Sequence, residues 1–125
     1  MQEQEAPSPE SEAVAHRRIQ KQEQELFEYA MVHLKGLCTV LGVPEGGKKR
    51  AIRIYRRAVE KHLMAGHSIE GMAGGAILLA CHEQNIPLQV DDLAQHSCAS
   101  TRDIRRCYQL LLQSFHAPRF FSRFF

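Results

Sequence analysis

None of the four cysteines is paired as Cys-x-x-Cys, and no apolar stretch is long enough to cross a bilayer. The N-terminal MQEQEAPSPESE has neither a basic segment nor an apolar core. Each absence excludes something. Cys38, Cys81, Cys98 and Cys107 lie in or beside apolar helical patterns, so they read as reduced, buried small hydrophobes rather than disulfide or metal ligands. His96 and Cys98 resemble half a zinc site, but no second pair with ligand spacing accompanies them, and no metal is expected. The longest apolar run, Ile69 to Cys81, is short and interrupted by glycine, which argues against a membrane span. The N-terminus argues against secretion, leaving a cytoplasmic location as the expectation. The histidines, His16 among them, are scattered, and no nucleophile, base and oxyanion set can be assembled. The sequence therefore predicts no enzyme, no cofactor and no small-molecule substrate.

What is present fits one modest domain, since 125 residues can bury a core but leave no room for a second full one. The net charge of +2 conceals an asymmetry. Residues 1–12 are acidic, whereas Lys48, Lys49, Arg50, Arg53, Arg56, Arg57 and Lys61 fall close together, offset only by Glu60. Such a cluster suits an anionic partner such as nucleic acid, or is simply a solvated helix face.

Residues 1–17 combine Gln, Glu, Pro and Ser with few apolar residues, a composition expected to give a disordered tail. From Glu25, apolar residues Phe27, Ala30, Met31, Leu34, Leu37, Cys38 and Leu41 recur at helical spacing until Gly42 and Pro44. A second helix is predicted to bury Ala51, Ile54, Tyr55, Ala58, Val59 and either His62 or Leu63, with the arginines opposite. A third should run over 68–85, capped by Ser68 with Glu70 in its first turn and stopped by Ile86-Pro87.

The third helix, SIEGMAGGAILLAC at its start, is apolar on nearly every side and contains Gly71, Gly74 and Gly75. Glycine inside a helix costs about 1 kcal/mol relative to alanine, so something must require it. A phosphate loop would need a preceding strand and a glycine turn outside the helix. Close helix packing is the better account: Gly71/Gly75 and Ala76/Ala80 place small residues one turn apart. Downstream, 91–96 predicts a short fourth helix. Ser100 with Asp103 predicts the capped start of a fifth, burying Ile104, Cys107, Tyr108, Leu111 and Phe115. Arg102, Arg105 and Arg106 fall outside. Short helix, tight turn and longer basic helix make a helix-turn-helix outline. The expected class is an all-α five-helix bundle.

With the helices in order, the sequence resembles the cyclin-like repeat of transcription factor B, the TFIIB family of archaea and eukaryotes. The resemblance rests on IYRRAVEK, G-x-SIE, the small-residue helix ending Ala80-Cys81, NIP, DDLA and S-x-x-DI-x-R-x-Y, in that order within 51–112. Arg17-Arg18-Ile19 and Leu37 to Pro44 extend it to residues 17–115. The repeat itself is taken as 18–115, with 116–125 a tail or the start of a second repeat, which Pro118 to Arg123 resembles.

The resemblance implies a module archaeal in type that touches the TATA-binding protein and promoter DNA phosphates and meets RNA polymerase only indirectly. Its setting would be the nucleoid-associated cytoplasm, or the nucleus of a eukaryote. Lys48, Lys49, Arg50, Arg53, Arg56 and Arg57 are the candidate phosphate contacts. Gly66-His67, where the family often has Gly-Arg, is a candidate DNA-proximal loop, and Arg102, Arg105 and Arg106 are candidate contacts for partner or DNA. No counterpart of the family's zinc ribbon or complete second repeat is recognised, so a partial factor is expected. The competing expectation is a cyclin-fold protein adaptor that does not bind promoters.

Overall fold

Every residue from Gly71 to Cys81 is buried, and the rest of the molecule is arranged around that fact. The structure, a computed structural model, describes the backbone of residues 9–124 and the side chains of residues 20–115. Five helices follow one another: α1 Pro9–Leu41, α2 Glu45–Glu60, α3 Ile69–Glu83, α4 Val90–Gln95 and α5 Thr101–Phe124. The α3 helix packs against all four others, with its most extensive contacts to α5 and α2. A helix without a polar face can be stable only in such a central position.

Glycine sets how closely α5 approaches. A Cβ added at Gly75 would lie 2.9 Å from the backbone nitrogen of Tyr108 and 3.1 Å from the carbonyl carbon of Cys107. At Gly71 it would lie 2.9 Å from Ser68 Oγ and 3.3 Å from Cys107 Sγ. The obstacle at Gly75 is backbone, which cannot rotate away as a side chain can. Close packing therefore explains the glycines of this helix. Ser68 starts it, its Oγ accepting the Gly71 N–H at 2.9 Å.

Three helices end in the same way, with a residue in the left-handed region followed by a six-residue backbone hydrogen bond. At α1 the reversal is Gly42 (φ 68°), with Val43 N–H donating to the Cys38 carbonyl at 2.8 Å. At α3 it is Asn85 (φ 58°), with Ile86 N–H donating to Cys81. At α2 it is His62 (φ 59°), with Leu63 N–H donating to Ala58 at 2.9 Å. Of the two residues proposed for the end of the buried face of α2, Leu63 packs against the core and His62 is exposed. Ala51, Ile54, Tyr55 and Ala58 are buried as the spacing predicts. The fifth helix likewise buries Ile104, Cys107 and Leu111, with Tyr108 and Phe115 half-buried, and Ser100 Oγ accepts the Asp103 N–H at 3.1 Å.

Two expectations need correction. Helix α1 begins at Pro9 rather than near Glu25, so residues 9–17 of the predicted tail are helical, while 1–8 lie outside the described residues. Residues 10–24 are rich in Glu, Ala, Gln, Lys and Arg, which cannot build a core but extend a helix readily once the packed part from Phe27 has nucleated it. Cys98 is exposed, not buried. It sits in the α4–α5 turn, where Ser97 Oγ accepts the Ala99 N–H at 3.2 Å and Ala99 is the residue turned inward. The remaining chain after Phe115 continues α5 to Phe124, with its side chains outside the described residues.

Candidate nucleic-acid interface

The basic residues of α2 occupy the side opposite Ala51, Ile54 and Ala58, but they are not equivalent. Arg50 is half-buried and held by Glu83 at the end of α3, with Nε at 2.7 Å from one carboxylate oxygen and Nη2 at 3.2 Å from the other. This forked contact ties α2 to α3 and raises the Arg50 pKa. Lys48 pairs with Glu45 at 3.2 Å within the first turn. Both charges are thus largely answered within the protein.

Lys49, Arg53, Arg56 and Arg57 are exposed, and among the described residues none has a carboxylate within 4.0 Å. Two of them lie over aromatic rings. The Arg56 guanidinium is 5.4 Å from the Phe27 centroid, on α1, and Arg57 is 5.7 Å from Phe115, on α5. Lys61 shares the Phe115 ring at 5.0 Å. Such contacts restrict long side chains while leaving their charge available to water or an anion, which lowers the entropy cost of a later contact. Lys49 and Arg53, by contrast, have no ring platform.

The loop between α2 and α3 behaves differently from a simple DNA-facing finger. Gly66 (φ 80°) is exposed, but His67 is half-buried with Nδ1 3.5 Å from Cys107 Sγ. Burial pushes the Cys107 thiol up to about 11, so it is protonated near neutrality and the pair is not a thiolate nucleophile with its base. The same loop meets α5 around a cavity of about 110 Å³ lined by Gly66, His67, Ser68, Asp103, Arg106 and Cys107. Two separately proposed features, the loop and Arg106, are therefore neighbours. Arg102 and Arg105 are exposed on α5, again with no carboxylate within 4.0 Å among the described residues. No group of three or more His, Cys, Asp or Glu side chains suited to a metal occurs among the described residues.

Sequence reasoning missed Phe27 and Phe115 as platforms for arginine, although both stand on the apolar stripes it identified. The Arg50–Glu83 fork had no comparable signal, because it joins residues that only the tertiary packing of α2 on α3 brings together.

A basic α2, a buried small-residue α3 and a short helix leading into a basic α5 are what the resemblance to transcription factor B requires. Residues 23–114 match the family model for the transcription factor TFIIB repeat. The chain is 38% identical over 96 residues to a transcription initiation factor IIB of Pyrobaculum islandicum, covering 77% of this chain and 29% of that protein. A factor of the same name from Saccharolobus shibatae is also 38% identical over 96 residues, 31% of its length, and one from Archaeoglobus fulgidus is 33% identical over 94 residues, 29% of its length. The chain thus spans less than a third of these curated relatives. On a match that covers most of its residues and nearly all of its bundle, the chain belongs to the TFIIB repeat family.

Proposed function

We propose that this repeat binds the complex of TATA-binding protein and promoter DNA, as a transcription initiation module without catalysis. The observation that carries this reading is the outward row Lys49, Arg53, Arg56 and Arg57 on α2, free of carboxylates among the described residues, in a chain of the TFIIB repeat family. These side chains contact DNA phosphates, which gives affinity without base readout. Lys48 and Arg50 contribute less, because Glu45 and Glu83 already hold them. Gly66-His67 and Arg102, Arg105 and Arg106 form a secondary edge, with the backbone of Gly66 nearer the partner than the inward-turned His67 ring. RNA polymerase is reached only through the other members of the complex.

The test is a mobility-shift titration on TATA-containing DNA with and without TATA-binding protein, repeated across salt. The expected result is weak binding to DNA alone and a defined ternary complex when both proteins are present. With about three phosphates engaged, the logarithm of affinity should fall against the logarithm of salt with a slope of about 3 in magnitude. A salt-independent affinity, or the absence of any ternary complex, contradicts the proposal.

The protein-adaptor reading is favoured by a different feature. A groove of about 430 Å³ between α1, α2 and the α2–α3 loop is lined by Leu26, Phe27, Tyr55, Val59, Met64 and Ile69 among others. It becomes the leading reading if promoter complexes form equally well without the α2 charges.

A further inference from the structure

We propose that the outer face of α1 is a self-association surface through which two copies of this chain pair antiparallel. The large hydrophobic residues found exposed among the described residues all fall on this one helix: Leu26 (55%), Tyr29 (50%), Val32 (74%) and Val40 (61%). They are distinct from the core stripe of the same helix, Ala30, Leu34, Leu37 and Cys38, which is buried. Helix α1 therefore carries two apolar faces, and the fold uses one.

The second face has a register. Leu26, Tyr29, His33, Gly36 and Val40 are spaced alternately three and four residues apart, the repeat by which one helix seats against another. The His33 ring stacks on Tyr29, with centroids 6.4 Å apart and planes 4° apart, and the Tyr29 hydroxyl donates to Glu70 at 2.7 Å, so the centre of the stripe is held in place. At Gly36 an added Cβ would meet nothing within 4 Å, leaving a gap in the row.

A second copy fills that gap. With a two-fold axis between Val32 and His33, antiparallel pairing sets Tyr29 opposite Gly36, Leu26 beside Val40 and Val32 opposite His33, each twice. A large ring meets a missing side chain. The charges at the edge agree with this orientation. Glu28 and Lys35 are both exposed, neither has an oppositely charged partner within 4.0 Å among the described residues, and the same axis brings Glu28 of one copy within about half a turn of Lys35 of the other. Parallel pairing would instead set Glu28 against Glu28 and Lys35 against Lys35. The occupant chosen by shape and charge is thus a second α1, and the contact does not involve the basic face of α2.

Sedimentation velocity of the full chain, over about 5 to 500 µM, tests this in the range expected for a small interface. The expected result is a reversible monomer–dimer equilibrium. Val40→Glu should weaken it at least about tenfold while leaving the thermal midpoint unchanged. Lys35→Glu should weaken it, and adding Glu28→Lys in the same chain should restore it. In a Cys98→Ser background, which removes the exposed thiol, Val32→Cys should cross-link to itself on mild oxidation and Val40→Cys should not. A single monomeric species throughout the range overturns the proposal. So does a dimer indifferent to Val40→Glu, a charge swap that fails to restore pairing, or self-cross-linking at position 40.

Discussion

The helices α2 and α3 lie side by side, yet one is defined by what it buries and the other by what it leaves out. Every residue of α3 from Gly71 to Cys81 is enclosed, and its glycines bring α5 to within a single carbon of collision. Helix α2 buries one stripe and turns arginine and lysine to the other side. In a helix with no exposed face, any gain in volume must be answered by movement of a neighbour. In a half-exposed helix, the outer residues are released from the fold and available for another purpose. Stability should therefore concentrate in α3 and binding in α2.

The largest expected effect is at Gly75. Leucine there must displace the α5 backbone, and Gly75→Leu should destabilise by about 3 kcal/mol in chemical denaturation. A sharper form uses alanine in two places. Gly36→Ala, with open space around it, should stabilise α1 by up to about 1 kcal/mol, whereas Gly75→Ala should destabilise despite the same gain in helix propensity. Gains at both positions would break the comparison.

Alkaline titration probes the same enclosure. Burial raises Cys38 and Cys107 to about 11 and Tyr55 to about 12. These groups remain protonated in the folded protein after the unfolded chain has begun to ionise. Stability should be fully present below about pH 9 and fall as pH rises through 9 to 11, with the tyrosine contribution extending higher. A denaturation midpoint that is flat between pH 8 and 11 would contradict the burial of these side chains.

Smaller effects are expected at the edges of α2. Glu83→Gln weakens the Arg50 fork and, because the pair is partly exposed, should cost only about 1 kcal/mol, read as a lower urea midpoint. His62→Gly relieves a left-handed backbone and should raise stability by about 0.5 kcal/mol, detectable as a small increase in thermal midpoint. A loss of stability at His62→Gly would mean that the imidazole itself holds the end of the helix.

The parts of the fold that follow a period were legible in the sequence. The buried stripes of α2 and α5, the Ser68 cap and the enclosure of α3 all come from spacing and composition, and each needs only local information. Partners distant in sequence were not legible: Arg50 gave no sign that Glu83 would hold it, and His67 none that it would turn toward Cys107. Cys98 was misplaced because pattern alone does not say which residue of a tight turn points inward. The basic cluster of the candidate site was visible as a cluster, but its division into paired and outward charges depends on packing.

Charge reversal on the outer face of α2 tests the central claim most directly. Arg53→Glu with Arg56→Glu should leave the denaturation midpoint within about 0.5 kcal/mol of the parent, since both side chains are exposed. The same double variant should form a much weaker complex with TATA-binding protein and DNA at low salt, to the same degree on every promoter sequence. Unchanged affinity at low salt would make this face a solvated surface and contradict the account.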